Sequence, residues 1–453
     1  EVDLQDNAGG TNAVIASTIT NLGSQTVVLK HSTADHTDAG NNDGNKITIT
    51  AASDTSADSI NVTLDAIGTY TAANYGYNEV DVANYETVNI AANNNTAGTI
   101  TTAEVATLTA SSATSVVLTG NANTTFGSVT GGAMTSFDAS ALTGTLTTTF
   151  ASTDKITATG SATKATTFKF GTTLDNNDTV VGGSATTDVL EATLANETTE
   201  TGKLNISGVE TIKLTTSAVN TLDFTNVTGA TSVEIDAFKQ TITGFPLSTK
   251  IVSTVNDSSV KITAADATGS SDTLSIETQV TAANQTNTVE AADIETLALT
   301  VTDLTAHSDN DTATYALTKF EGTTVTATEK STSLDTVNVA LGTLHKNVTS
   351  LDLSGTKGTQ SASLTNATSA GTITLGGGGV ATVTGTGYAD TFTIGKTAAV
   401  IHNITGGAGT DTLTLMADTG WVDPSGLNVE AVTIDVVPGN VDLSLASAKA
   451  FHA

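Results

Sequence analysis

The stretch Gly406-Gly407-Ala408-Gly409-Thr410-Asp411-Thr412-Leu413-Thr414 decides how the rest of the chain is read. It matches the nonapeptide pattern G-G-x-G-x-D-x-U-x at every fixed position. Glycines tolerate positive φ, so the turn can tighten and aim backbone carbonyls inward. The aspartate adds an anionic oxygen of the kind a hard divalent cation prefers. Leu413 then begins a strand and plugs a core. One such turn supplies half a calcium cage, and a neighbouring coil must supply the rest. The pattern therefore predicts stacked coils with Ca2+ held between their turns.

Working outward, a second copy runs Gly385-Thr386-Gly387-Tyr388-Ala389-Asp390-Thr391-Phe392 and has lost one glycine. A third lies within Asp178-Thr179-Val180-Val181-Gly182-Gly183-Ser184-Ala185-Thr186-Thr187-Asp188-Val189-Leu190, where Ala185 replaces the third glycine. Ser270-Ser271-Asp272 is a more degenerate relic. The candidate metal ligands are thus Asp411 and Asp390, with Gly406, Gly407, Gly409, Gly385 and Gly387, and then Asp178 and Asp188. At Asp272 and Asp58 a solvated turn aspartate is the expectation.

These turns belong to a longer repeat. A module opens at Asp58-Ser59-Ile60, Asp188-Val189-Leu190, Asp272-Thr273-Leu274 and Asp411-Thr412-Leu413. It closes at Glu86-Thr87-Val88, Glu210-Thr211-Ile212, Glu295-Thr296-Leu297 and Glu430-Ala431-Val432. After each closing glutamate apolar residues alternate, as in Val88 and Ile90 or Ile212 and Leu214, which is the period of a half-buried strand. Glu86, Glu210 and Glu295 are expected to cap backbone N–H groups. Between the modules, beats at Leu108, Val117, Phe126, Phe137, Leu146, Ile156 and Phe168 follow a spacing of roughly 9 to 12 residues, as in all-β chains. Thr135-Ser136-Phe137-Asp138-Ala139-Ser140 returns as Thr349-Ser350-Leu351-Asp352-Leu353-Ser354.

Strands this short cannot bury a face alone, whereas stacked coils align like positions into one thin core. The expected fold is all-β: right-handed parallel β-solenoid or β-roll coils, with room for interleaved β-sandwich modules. The expected division is an N-terminal β module over 1–100, a solenoid with a degenerate turn over 101–215, a β module over 216–300, and a solenoid with calcium turns over 301–453.

Composition narrows the function. The 453 residues carry 16 basic and 46 acidic side chains, a net charge of −30, and every basic residue is lysine. The absence of arginine in so acidic a chain argues against nucleic acid and against an anionic membrane surface as partners. No cysteine is present, which removes disulfides, thiolate metal sites and cysteine nucleophiles. Apolar residues at 38 % are too many for a disordered acidic tail. No apolar run is long enough to span a membrane as a helix. The chain begins at Glu1 with neither initiator methionine nor signal peptide, so it reads as a processed or trimmed product.

No H-E-x-x-H, G-x-S-x-G or phosphate-loop motif occurs, so no enzyme is expected. His31 and His36 flank Asp35, with Asp38 nearby, and read as a solvated loop. The sequons at Asn61, Asn196, Asn226, Asn347 and Asn366 follow from composition. Trp421 and Tyr388 are too few for a sugar-stacking platform.

The segments Tyr85-Glu86-Thr87-Val88-Asn89-Ile90-Ala91-Ala92, Ser115-Val116-Val117-Leu118-Thr119-Gly120-Asn121-Ala122 and residues 135–144, followed by Asp178-Thr179-Val180-Val181-Gly182-Gly183, carry a family resemblance. The chain resembles the RTX-type surface-layer proteins of Gram-negative bacteria, of the Caulobacter kind, over residues 80–215 and 380–435. The resemblance implies type I secretion, a cell-surface location, calcium-dependent folding and self-assembly into a two-dimensional lattice. It places the ligands on Asp390 and Asp411 with carbonyls of Gly406, Gly407 and Gly409, and less surely on Asp178 and Asp188. The nonapeptides are fewer and more eroded than in a long RTX array. A part that grips lipopolysaccharide is not evident. A secreted RTX-type adhesin, or a stalk binding a surface ligand, is the alternative; the tail of a hydrolase ranks below both.

Overall fold

The computed structural model describes residues 16–23, 25–30, 46–65, 67, 77–94, 101–151, 155–194, 202–216, 220–236, 239–254, 258–280, 284–304, 311–330, 336–376, 378–395, 402–415, 427–434 and 450–452. Every regular element among them is a strand. The chain divides into two compact units. One comprises residues 1–195, 199–215 and 226–231, the other residues 196–198, 216–225 and 232–453.

In the first unit, consecutive strands do not pair with each other. Ser59–Asp65 pairs with Thr87–Asn93, and the strand between them, Tyr77–Ala83, pairs with Thr102–Ala110. Each coil therefore gives one strand to each of two parallel ladders. One ladder starts at Ala16–Leu22 and reaches Val189–Leu194. The other starts at Thr26–Lys30 and reaches Lys203–Ser207. The second unit repeats this plan, from Ser232–Asp236 to Ala431–Ile434 on one side and from Lys239–Phe245 to Leu427–Asn428 on the other. All of these pairs are parallel. The fold is a parallel β-solenoid.

Alternation explains the architecture. With side chains alternating in direction along a strand, every second residue points into the coil. In-register stacking then turns each inward position into a column. In the first unit Ile60, Val88, Val116, Phe137, Ala158, Val180 and Ile206 form one such column, and all are buried. In the second, Leu274, Leu297, Val325, Leu351, Ile373, Phe392, Leu413 and Val432 form another, again all buried. Leu413, the apolar residue of the nonapeptide, plugs the core as its place in the pattern requires. Of the expected apolar beats, Val117 faces outward half-buried, while Val116 and Leu118 face inward. The triplet is apolar throughout, so only pairing decides which residues point in.

The first unit adds an aromatic cluster. Phe150 packs edge-on to Phe137 at 5.4 Å, tilted on Phe170 at 4.9 Å and stacked on Phe168 at 6.4 Å. On the outer faces the scarce lysines lie across from glutamates on neighbouring strands. Lys46 meets Glu79 at 2.7 Å, and Glu290 bridges Lys261 at 2.5 Å and Lys319 at 3.0 Å. Such exposed pairs stabilise little, but a one-residue slip would bury them.

Phe150→Ala should destabilise the first unit by about 3–5 kcal/mol through the cavity left among three rings. Urea unfolding followed by far-UV circular dichroism would show this as a lower midpoint with an unchanged folded spectrum.

Candidate metal centre

The turns before the strands carry a chain of acidic side chains, one per coil. Gly371 N–H donates to Asp390 Oδ1 at 2.6 Å, Asp390 N–H donates to Asp411 Oδ1 at 2.8 Å, and Asp411 N–H donates to Glu430 Oε2 at 2.9 Å. Each carboxylate thus reaches back one coil and accepts the backbone N–H at the equivalent corner. The same device recurs in the first unit, where Thr166 N–H donates to Asp188 Oδ1 at 2.6 Å and Asp188 N–H donates to Glu210 Oε2 at 2.9 Å. Asp58 N–H donates to Glu86 Oε2 at 2.7 Å, and Asp272 N–H to Glu295 Oε2 at 2.9 Å. This is the meaning of the opening aspartate and closing glutamate. They occupy equivalent corners of successive coils, and the glutamate caps the N–H of the aspartate.

The second carboxylate oxygen usually tightens its own turn. Asp390 Oδ2 accepts from Thr386 N–H at 2.6 Å, while Thr386 Oγ1 donates to Asp390 Oδ1 at 2.7 Å. Asp188 Oδ2 accepts from Gly183 N–H at 2.8 Å. Asp178 accepts from Ile156 N–H at 2.9 Å and from Asp175 N–H at 2.8 Å. Asp178 opens the strand Thr179–Val181 and Asp188 opens Val189–Leu194, so the two lie on different ladders and not in one turn.

Asp411 differs. It is 1 % exposed, and its Oδ2 has no hydrogen-bond partner among the described residues. Burial pushes its pKa up, the Asp390 N–H pulls against that, and the charges of Asp390 and Glu430 add to the upward push. A Cβ on Gly406 would fall 2.1 Å from Asp411 Oδ2, so that oxygen is tucked beneath a residue that has to be glycine.

The other glycines hold the turns close together. Gly407 and Gly409 have φ of +112° and +123°, which disfavour any side chain. A Cβ on Gly407 would meet Thr386 O at 2.0 Å, and one on Gly385 would meet Gly406 O at 2.4 Å. The turns before Asp390 and Asp411 are thus stacked directly, as the nonapeptide reading requires. Gly387 has open space where a Cβ would go.

Among the described residues, no three His, Cys, Asp or Glu side chains converge into a group that would hold a metal. The carboxylates are strung out coil by coil. A cation at these turns would depend on backbone carbonyls for most of its ligands, as a calcium ion readily does.

His31, Asp35, His36, Asp38, Asn196 and Trp421 lie outside the described residues. Asn226 Nδ2 donates to Asn205 Oδ1 at 2.7 Å, and Asn347 Nδ2 donates to Glu321 O at 2.8 Å. Tyr388 is 47 % exposed on its turn. Sequence reasoning missed His402, which is fully buried at the start of a strand. Its Nδ1 accepts from Ala381 N–H at 3.2 Å, and its Nε2 has no partner among the described residues. Burial lowers its pKa. The signal was there in the alternation: His402 stands two residues before the inward-facing Ile404, on the same side of the chain.

Comparison with protein-family models, with curated proteins and with solved structures gives no match. Among the described residues, no helix is long and apolar enough to cross a membrane.

Two measurements check this geometry. Glu210→Ala leaves the Asp188 N–H without its acceptor and should cost about 1–3 kcal/mol. Glu210→Gln keeps an acceptor oxygen and should recover most of that in equilibrium unfolding. His402 has a depressed folded-state pKa, so its contribution is fully present above the unfolded value of about 6.5 and is lost as pH falls through the folded value. In chelator, the melting temperature of His402→Gln should therefore fall less between pH 7 and pH 5 than that of the wild type.

Proposed function

We propose that this protein is a structural subunit of a bacterial surface layer, folded with calcium and assembled with copies of itself into a coat outside the cell. The observation that carries the reading is the pair of stacked glycine turns ending at Asp390 and Asp411, with one buried carboxylate oxygen of Asp411 lacking a donor. A buried, unpartnered anionic oxygen is costly unless a cation or a proton answers it. These residues fit a hard divalent ion. Asp411 and Asp390 would hold it, with carbonyl oxygens of Gly406, Gly407, Gly409, Gly385 and Gly387. Asp178 and Asp188 are weaker candidates, since they open strands on different ladders and do not sit in directly stacked turns. Both oxygens of Asp390, like theirs, already accept backbone N–H groups, which leaves Asp411 Oδ2 as the one open carboxylate oxygen of the set. The ion would supply charge neutralisation at a corner where acidic side chains follow one another coil by coil.

The resemblance to RTX-type surface-layer proteins supports the wider reading. It adds export by a type I system, a location on the cell surface and a scaffolding rather than catalytic role. The solenoid suits such a role, because its long ladders present repetitive faces.

Electron microscopy of the purified protein with calcium and with chelator tests the proposal. Ordered sheets that disperse on chelation are expected. A particle that stays monomeric and folded in both conditions would overturn it.

The metal component has its own signature. A saturating ligand at about 100 times its Kd stabilises by about 2.7 kcal/mol, so calcium should raise the melting temperature at pH 7. Asp411→Asn should abolish that rise. With the ion bound, the ligand carboxylates are held ionised, so the calcium-dependent stability is present at neutral pH and lost on acidification. Without the ion the sign reverses. The raised pKa of Asp411 favours the protonated form in the folded state, so ionisation at neutral pH costs stability. In chelator at pH 7, Asp411→Asn should therefore be at least as stable as the wild type.

A further inference from the structure

His402 sits in the core with a hydrogen-bond pattern that only its neutral ring can keep. It is fully buried. Its Nδ1 accepts the Ala381 N–H at 3.2 Å, so in the neutral ring the proton lies on Nε2. That Nε2 is buried and has no partner among the described residues. The equivalent position two coils earlier is answered differently. Gln360 pairs with Ala381, and the pairing of Thr382 with Asn403 places Ala381 opposite His402. Gln360 is also buried, and its amide accepts the Gly376 N–H and donates to Gly376 O, both at 3.1 Å. The polar side chain there is satisfied at both ends and cannot titrate.

A proton added to His402 has to go on Nδ1. It would meet the Ala381 N–H donor to donor, and it would leave a charge in the core. Nothing packed against the ring offsets that charge. Ala381–Thr384 and Leu427–Asn428 lie on the neighbouring coils and Thr391–Ile394 on the other ladder, and none of the three contains a charged residue. The charged side chains among the described residues of these coils are Asp390, Asp411 and Glu430. All three open strands of the other ladder and accept backbone N–H groups there. Burial accordingly lowers the pKa of His402.

The ring also sits where its ladder is thinnest. Strand length falls from nine residues in Thr312–Phe320 to six in Asn338–Thr343 and four in Gln360–Ser363 and Ala381–Thr384. It falls again to three in Asn403–Thr405 and two in Leu427–Asn428. Fewer ladder hydrogen bonds per coil lower the cost of local opening. An ionised His402 can therefore reach water by opening its own coil, without unfolding the whole unit.

We propose that His402 is an acid-sensitive latch, whose protonation releases the strand Asn403–Thr405 from its neighbours and opens the C-terminal coils of the second unit below neutral pH. The latch depends on neither the calcium reading nor the surface-layer reading, since one side chain and its backbone partner carry it.

Hydrogen exchange read by mass spectrometry on the full chain, with calcium chelated throughout, tests the latch. Rates corrected for intrinsic exchange are compared at pH 7 and pH 5 for the wild type and for His402→Gln, which places at 402 the residue that the fold already holds at 360. In the opened coil His402 titrates at about 6.5, so opening of residues 381–384 and 403–405 should rise about 25-fold more in the wild type than in the variant. The strand Thr87–Asn93 of the first unit should show no such difference. Equal pH dependence in both chains would overturn the proposal, as would an excess spread evenly over both units, which marks global unfolding. Imidazole 15N NMR of the wild type covers a variant that fails to fold. One of the six histidines should stay in the Nε2–H form at pH 6. Six rings that all titrate at about 6.5 in the folded chain would overturn the proposal.

Discussion

In-register parallel stacking of one coil on the next is the constraint on which each unit depends. A single coil holds two short strands and cannot close a core. Its backbone N–H and C=O groups are satisfied only by the coils on either side. Once the register is set, every inward residue joins a column such as Leu274 to Val432, and every outward residue joins another. Core, corners and outer faces therefore all follow from one operation repeated along the chain, and stability is largely a sum over neighbouring coils.

The corners are where that operation is most demanding. A turn leaves N–H groups that no strand partner accepts, and the chain has answered them with carboxylates from the next coil. This explains how a strongly acidic protein can fold with so few cations of its own. Asp188, Asp390 and Glu430 turn their carboxylates to backbone donors at 2.6–2.9 Å. Asp411 keeps one oxygen outside this scheme, at the turn whose sequence is the least eroded. The best match to the calcium pattern and the least satisfied carboxylate of the series coincide at one residue, although one was read from the sequence and the other from hydrogen bonds.

Much of the fold was legible beforehand. Period-2 alternation after Glu86, Glu210 and Glu295 gave the strands, and their regular return gave the stacking. Gly406 to Leu413 gave the tightest turn, because pattern and steric need coincide there: Gly407 and Gly409 take positive φ, and Gly406 leaves room for Asp411. The candidate site was legible only in part. Asp178 and Asp188 share a sequence motif but open strands on different ladders. Val117 carried an apolar beat yet faces outward.

By itself the sequence determined the class of structure, the likeness of one coil to the next and the residues that pack the core, because these depend on local alternation and on what a short strand can bury. Only the tertiary structure decided what each carboxylate touches. The partner of Glu430 is the N–H of Asp411, that of Asp411 is the N–H of Asp390, and that of Asp390 is the N–H of Gly371. Those partners lie a full coil away, and no local rule links a side chain to a backbone group across a coil whose length varies. The alignment of Thr372 with Thr391 and Thr412 was fixed in the same way, by the register between coils.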